Sequence, residues 1–352
     1  MGRPTRLAPW LLVLLLGLAG CGRPSTPTPT PAPPSKAVPP SAPEPSAPAP
    51  AMPEPAAPKP TKQTYPALPG AIGIMIENSP GARPQIGLDR ADLIFESESE
   101  YGVTRFLALF NREGAPVIGP VRSARKPFIE MATPYKVPYA HAGGSNEALG
   151  LLASAPGGLL NVDEIYVCGG CFWRSKDRVA PHNLYTSSDL QVNYAAERGF
   201  ALTPLRRFPE GDLAGGEAVV RIAYDWGQGT QDGAWNWDGK RYLRSQAGEP
   251  HLMADGTQLA TDNLVVLFTR FVWRPDAQPQ SGLYQIDVVS NGDGILYRDG
   301  KGWPIRWSKA SRSAHINLSL PDGSPALLRP DGQTWVTYLK SPNHVRTGLL
   351  PR

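Results

Sequence analysis

The stretch LIFESESEYGVTRFLALF, residues 93–110, decides how the first half of this chain folds. It has an apolar, β-branched or aromatic run at each end, which predicts strands over 93–97 and 104–110. Tyr101 and Gly102 separate the two runs, and glycine is a residue that tight turns favour. The stretch therefore predicts two strands joined by a turn.

Three carboxylates recur at every second position of this stretch, at Glu96, Glu98 and Glu100. Successive side chains of a strand point to opposite faces, so an extended chain places all three on one face. Three like charges repel unless cations pair with them, and Arg105, just beyond the turn, is the obvious partner. The pattern leaves two interpretations open: a structural Arg–Glu network, or a functional set of charges.

Residues on either side, from 71 to 205, alternate strand-like with helix-like patterns. Further strands are predicted at 72–78 and 137–143. Apolar residues at helical spacing, each preceded by a serine that suits a helix N-cap, predict helices at 123–136 (after Ser123), 145–154 and 187–199. This mixture indicates an α+β, or mixed α/β, fold.

The second half of the chain is different, because short apolar strands there are separated by Asp-Gly and Asn-Gly turns. Asp299-Gly300 is one such predicted hairpin turn. We place the boundary near Gly211–Gly216, which predicts a larger mixed domain over 71–212 and a smaller β-rich domain over 213–352.

Several longer motifs resemble one known family. They are ARPQIGLDRADLIFESESEYGVTRFLALF (82–110), IGPVRSARKPF (118–128), HAGGS (141–145), PHNLY (181–185), NLVVL (263–267) and GQTWV (332–336). Together they are similar to the YerB-like family of bacterial lipoproteins over both predicted domains. The resemblance implies a two-domain architecture and an extracytoplasmic location. It implies no reaction, because no activity is established for the family.

The N-terminus predicts secretion and a lipid anchor. Residues 1–21 combine two arginines, an apolar run too short to span a bilayer, and Leu18-Ala19-Gly20-Cys21. This ending resembles a bacterial lipobox, so we expect Cys21 to be lipidated with acyl chains such as palmitate, which would hold the protein on the membrane. An ordinary secretory peptide with a chance cysteine is the alternative. Gly22, in place of Asp, permits sorting to either membrane.

Residues 22–70 hold 18 of the 40 prolines and almost no large apolar side chain. Such a segment cannot form a core and predicts a disordered, extended stalk. Residues 1–70 also carry six Lys/Arg and two Asp/Glu, which accounts for the whole net charge of +4. The remaining chain has 29 of each sign, a balance that argues against nucleic-acid binding.

We expect a ligand site in the first domain. The helix predicted at 123–136 would bring Arg122 and Arg125 onto one face beside free N–H groups, which suits an anion; pairing with the Glu strand is the alternative. The histidines have two interpretations, as binding residues or as hydrogen-bonded core residues. The candidate residues are Glu96, Glu100, Arg105, Arg122, Arg125, His141, Ser145, His182 and Asn183.

Two other groups have more than one interpretation. Cys168 and Cys171 are expected to form a small disulfide loop in an oxidising compartment, with a reduced or metal-bound pair, or a redox pair, as the alternatives. Tryptophans of the second domain suit either core packing or a carbohydrate-stacking surface: Trp226, Trp235, Trp237, Trp303 and Trp307.

These observations predict a lipid-anchored, non-enzymatic binding module whose partner is a wall polymer such as peptidoglycan, or an envelope protein. We expect no cofactor and no metal. The alternative is a hydrolase or lyase acting on peptidoglycan or another polysaccharide, with Glu96 or Glu100 as general acid or base. Geometry discriminates between them, because catalysis requires a carboxylate that lines an open cleft instead of one closed into an arginine pair.

Overall fold

The computed structural model describes residues 65–226, 232–274 and 284–348. The predicted signal sequence, Cys21 and the stalk up to residue 64 lie outside the described residues. Within the described ranges, no helix is both long and apolar enough to cross a membrane.

The described residues form three helices and 21 strands. The helices are α1 (Lys126–Ala132), α2 (Asn146–Ser154) and α3 (Ser188–Glu197). The strands of the first half are β1 (Ile72–Glu77), β2 (Leu93–Glu100), β3 (Val103–Phe110), β4 (Pro138–His141), β5 (Leu160–Asp163), β6 (Trp173–Arg174) and β7 (Leu184–Tyr185). Those of the second half are β8 (Glu217–Ala218), β9 (Arg221–Tyr224), β10 (Gly233–Trp237), β11 (Tyr242–Gln246), β12 (Glu249–Pro250), β13 (Ala260–Thr261), β14 (Asn263–Phe268), β15 (Phe271–Trp273), β16 (Tyr284–Ile286), β17 (Asn291–Arg298), β18 (Lys301–Ser308), β19 (Asn317–Ser319), β20 (Thr334–Leu339) and β21 (Val345–Gly348).

One large sheet contains strands from both halves, in the order β19-β18-β17-β14-β20-β2-β3-β1-β4-β5, with β8 added beside β18. The halves meet where β2 pairs in parallel with β20, from Leu93 opposite Thr334 to Glu96 opposite Thr337. Six strands of this sheet point the same way: β1, β2, β4, β5, β14 and β20. Strands β1, β4 and β5 pair in parallel with one another, and so do β2, β20 and β14. The two groups share one direction because β1 and β2 both pair antiparallel with β3. Their carboxyl ends therefore lie along one edge, which we call the carboxyl edge.

Both faces of this sheet are covered, which explains why β1, β14 and β20 are buried throughout. On one face a smaller sheet, β12-β11-β10-β9-β21 with β13, packs its aromatic residues onto the large sheet. The Trp235 and Trp335 rings meet edge to face, with centroids 5.1 Å apart. On the other face α1 and α2 place Phe128 and Leu152 in a second apolar cluster with Phe95.

The fold class predicted from the sequence, α+β with a two-domain architecture, is confirmed. The turn between β2 and β3 has positive φ at Tyr101 (50°) and Gly102 (75°), as a two-residue hairpin turn requires. Asp299-Gly300 likewise turns β17 into β18. The side chains of Ser145 and Ser187 cap α2 and α3 by accepting from the backbone N–H groups of Ala148 and Leu190.

Two local predictions are wrong. Helix α1 begins at Lys126 after an N-cap at Arg125, not at Ser123. The preceding residues stay extended because they bond to the sheet: Arg122 N–H donates to the carbonyl of Met75 at 2.9 Å. Residues 65–70, assigned to the stalk, instead lie on the first half, where Leu68 N–H donates to the carbonyl of Asn111 at 2.8 Å.

A pair of glycine substitutions tests this packing. A Cβ at Gly294 would lie 2.5 Å from the carbonyl oxygen of Val266 in the neighbouring strand, so Gly294→Ala should lower the free energy of unfolding by about 1–3 kcal/mol. Gly150 in α2 has open space around its Cβ position, so Gly150→Ala should raise it by about 0.5–1 kcal/mol. Urea unfolding measures both, and equal effects would contradict the described packing.

Candidate functional site

The most deeply buried charges are Glu96 of β2 and Arg244 of β11, both with side chains inaccessible to solvent. The carboxylate accepts two hydrogen bonds from the guanidinium, at 2.7 Å to Oε1 and 3.1 Å to Oε2. Because β2 belongs to the large sheet and β11 to the smaller one, this pair joins the two sheets. Arg244 was not among the predicted site residues, since it lies 148 positions away in the sequence.

Every remaining lone pair of Glu96 also has a donor. Oε1 accepts from the Thr104 hydroxyl at 3.0 Å, and Oε2 accepts from Tyr224, Trp335 and Thr337 at 3.0, 3.0 and 3.3 Å. Arg244 is further held against the rings of Trp335, Trp235 and Phe106. A buried ion pair is stable only when its hydrogen bonds are completed in this way. Glu96 is thus a structural carboxylate and not an acid or base open to a substrate.

The network continues from Arg244 to the first half through a buried histidine. Arg244 Nε–H donates to Nδ1 of His251 at 3.1 Å, and Nε2 of His251 lies 2.7 Å from Oε1 of Gln85. An arginine can only donate and an amide oxygen can only accept, so His251 is the neutral tautomer protonated at Nε2. Burial, and then the charge of Arg244, lower its pKa well below 6.5.

Glu96, Glu98 and Glu100 do not share one face, because a β-bulge between Glu98 and Glu100 shifts the register. Glu98 stays on the face of Glu96, where it accepts from Gly102 N–H at 2.9 Å and lies 3.3 Å from Lys340 Nζ. Glu100 is turned to the opposite face. The prediction of a three-carboxylate face is therefore wrong for Glu100.

Glu100 lies between two arginines, Arg105 at 3.3 Å and Arg125, whose Nη2 donates to the same oxygen. The predicted Arg105 partner is thus found, but for Glu100 and not for Glu96. Burial, and then the nearby charge of Arg125, lower the pKa of Arg105 to about 9. One carboxylate accompanies two buried arginines here, so positive charge is in excess. The buried hydroxyls of Ser97 and Tyr139 have no hydrogen-bond partner within the described ranges.

Glu77, at the end of β1, extends the cluster. Its carboxylate lies 3.3 Å from Arg122 Nε and 3.0 Å from Nδ1 of His182, and it accepts from the Ser79 hydroxyl at 2.9 Å. Arg122 and Arg125 precede α1, so the prediction that they share a helix face is wrong, while the anion site stays a prediction. What brings Glu100, Arg105, Arg122, Arg125 and His182 together is the carboxyl edge of the sheet.

The other predicted residues have structural partners. His141 is fully buried between the Gly143 carbonyl and Asn161 Oδ1, both at 2.8 Å, and burial lowers its pKa. Ser145 caps α2. Asn183 accepts from Arg174 and donates to the carbonyl of Ser175 at 3.0 Å. These three residues hold loops in place, and Ser145 adjoins the arginine cluster, because its N–H donates to the carbonyl of Ala124, which also accepts from Arg125.

The structure also shows which alternative the cysteines and the tryptophans adopt. Cys168 and Cys171 are bonded in a disulfide, with their Cα atoms 5.4 Å apart. Trp226, Trp235, Trp303 and Trp307 are buried, and the half-buried Trp237 packs on Tyr242. They form core and not a stacking surface. Pattern reasoning also missed Trp273, which is 51% exposed. Within the described residues no group of three His, Cys, Asp or Glu is placed to hold a metal ion.

The elements described above make this chain a two-domain α+β protein. Residues 59–201 match the family described as "Protein of unknown function (DUF3048) N-terminal domain", and residues 220–336 match the corresponding C-terminal domain. The chain therefore belongs to this family, which is the YerB-like family.

Two individual matches agree with the family. The chain is 28% identical to "Putative lipoprotein YerB" of Bacillus subtilis over 276 residues, which is 76% of this chain and 80% of that protein. The crystal structure of Bacillus subtilis YerB matches with a TM-score of 0.70 at 27% identity, covering 80% of this chain and 94% of that one. This relative's name points to an extracytoplasmic, membrane-anchored location.

The ion pair between Glu96 and Arg244 can be tested by its effect on stability. Glu96→Gln leaves Arg244 buried without its counter-charge, so the free energy of unfolding should fall by about 3–5 kcal/mol. Glu210→Gln, the matched control in the surface pair with Arg207, should change it by less than about 1 kcal/mol. Equal losses in urea unfolding would contradict a structural role for Glu96.

Stability should also depend on pH through His251. Its folded pKa lies below its unfolded value, so stability is fully present above about pH 6.5 and is lost as pH falls, when only the unfolded chain takes up the proton. His251→Gln should reduce this slope by at most about 1.4 kcal/mol per pH unit. Urea unfolding between pH 7 and 5 measures it, and an unchanged slope would mean that His251 is protonated in the fold.

Proposed function

We propose that this chain is a lipid-anchored, extracytoplasmic binding module that recognises an anionic group of a cell-envelope polymer at its carboxyl edge. The observation that carries the proposal is the buried pair of Arg105 and Arg125, which share the single carboxylate of Glu100. A bound anion would supply the missing negative charge and accept charge-assisted hydrogen bonds.

More widely along the carboxyl edge, positive charge is again in excess of negative charge. Around β1, β2 and β20, within the described residues, the ion pairs join three carboxylates, Glu77, Glu98 and Glu100, to four cations: Arg105, Arg122, Arg125 and Lys340. At the ends of β4 and β5, Asp163 lies 3.9 Å from Nδ1 of His141. His182 lies beside Glu77 in addition. Open sheets with co-directional strands commonly bind ligands outside the carboxyl ends of those strands. Carboxylates of peptidoglycan, outside the cell, suit such an edge.

The location forms part of the proposal. The relative that is named a lipoprotein supports an extracytoplasmic, anchored protein. We propose Cys21 as the lipidated residue, residues 1–21 as the signal sequence and the Pro-rich segment as the stalk. An envelope protein is the alternative partner.

The geometry does not favour the hydrolase or lyase alternative. Glu96 is inaccessible and bonded to Arg244, and Glu98 is buried against Lys340. Glu100 is the most exposed of the three, with 27% of its side chain accessible, but both neighbouring arginines hold the same oxygen. A general acid or base needs an oxygen that is open to the substrate, and Oε1 of Glu100 is already occupied by both guanidinium groups.

Incubation of the full chain, held in detergent, with purified peptidoglycan tests binding and catalysis together. We expect the protein to co-sediment without releasing soluble fragments. Arg125→Gln should weaken binding by about tenfold, the effect of losing one charge-assisted contact. Arg221→Gln, which changes an exposed arginine of β9, is the control and should bind as the unmodified chain does.

Two results would reject the proposal. Fragment release that Glu100→Gln abolishes would establish the hydrolase or lyase instead. Absence of both sedimentation and release would exclude the wall polymer and leave the envelope protein as partner.

A further inference from the structure

A separate cleft of about 190 Å³ lies beside the carboxyl edge, where α1 and α2 meet the β15–β16 ribbon. We call it the ribbon cleft, and its charged and aromatic lining consists of Lys126, Glu130, Glu147, Arg274, Tyr284 and Asp287, the last of which is paired with Arg270. It adjoins the edge directly, because Lys126 follows Arg125 in the chain. The buried side chains of Ile286 and Val288 add an aliphatic surface.

One side of the ribbon cleft has positive charge in excess. Glu147 lies between two cations, 3.0 Å from Lys126 Nζ and 2.8 Å from Arg274 Nη1. One carboxylate thus neutralises two cations whose side chains remain about a third exposed, at 35% and 36%. This arrangement holds both cations in the cleft wall and leaves one positive charge for a ligand carboxylate.

The other side offers a carboxylate that has no ion-pair partner. The side chain of Glu130, in α1, makes no hydrogen bond or ion pair with any residue of the described ranges, although Lys126, Arg312 and Lys309 lie near enough to act on its charge. Burial is the main cause of its raised pKa, which the charge of Lys126 opposes. A half-buried carboxylate without a partner is unfavourable, and an ammonium group is the ligand that would neutralise it. The cleft therefore offers an acceptor for each sign of charge.

An exposed aromatic ring stands at the rim. Trp273 of β15 lies directly opposite Tyr284 of β16, with ring centroids 5.3 Å apart, and its side chain is 51% exposed. A large exposed aromatic beside a cleft commonly marks a ligand or partner surface. Its flat face, next to a charged cleft, suits the apolar face of a sugar ring.

We propose that the ribbon cleft binds the zwitterionic end of a peptidoglycan stem peptide, with its ammonium on Glu130, its carboxylate on Lys126 and Arg274, and the sugar at the other end of the peptide on Trp273. This inference rests on the proposed function and names the ligand group that gives it specificity. The aliphatic chain between the two charged groups of the ligand lies over Ile286, which lines the cleft.

Isothermal titration of the full chain in detergent tests the two charges separately. The probes are a stem tripeptide ending in meso-diaminopimelate, the same peptide with its free amine acetylated, and the same peptide with its terminal carboxylate amidated. Glu130→Gln should weaken binding of the unmodified tripeptide about tenfold and leave binding of the acetylated one unchanged. Arg274→Gln should weaken the unmodified tripeptide and leave the amidated one unchanged.

Glu210→Gln, in a surface ion pair that does not line the cleft, is the matched control and should bind all three probes as the unmodified chain does. Equal weakening of the acetylated and unmodified peptides by Glu130→Gln would overturn the ammonium contact. If the chain sediments with peptidoglycan but binds no tripeptide, the inference fails while the proposed function stands. If neither binding is seen, both fail.

The sugar contact has its own test. The disaccharide-linked tripeptide should bind more tightly than the free tripeptide, and Trp273→Ala should abolish that difference, a loss of about tenfold for one stacked ring. A difference that survives Trp273→Ala would overturn this contact.

Discussion

The ion pair between Glu96 and Arg244 is the interaction on which the relative placement of the two sheets depends. It joins strands that are 148 residues apart in the sequence. Four further donors and three aromatic rings from both halves surround it. A charge left alone in this position would cost several kcal/mol, so the two halves are stable only when assembled together. The parallel pairing of β2 with β20 and the edge-to-face contact of Trp235 with Trp335 belong to the same assembly.

A single β-bulge then determines what the carboxyl edge can do. Without it Glu100 would lie beside Glu98 and Glu96, and three carboxylates would line one face. With it Glu100 turns to the arginines of the opposite face, and each carboxylate receives its own cation. The carboxylates of the resulting edge are paired with cations, and positive charge is in excess. This arrangement suits the binding of an anion better than proton transfer.

The parts of this arrangement that could be read from the sequence are local. The β2–β3 turn needs positive φ at two adjacent residues, and Tyr101-Gly102 is recognisable within a short window. The serine caps of α2 and α3 act on backbone groups three residues away. The start of α1 was misplaced because Arg122 is bonded to the carbonyl of Met75, a tertiary contact that overrides the capping tendency of Ser123.

The sequence by itself determined the family, the α+β class and the three arginines of the carboxyl edge, because strand periodicity, turn residues and long motifs are properties of neighbouring positions. Only the tertiary structure decided the roles of those charges. Arg244 pairs with Glu96, Lys340 with Glu98 and Arg274 with Glu147 across 148, 242 and 127 positions. No local pattern relates residues so far apart, since their contact depends on sheet order and on how the two sheets pack.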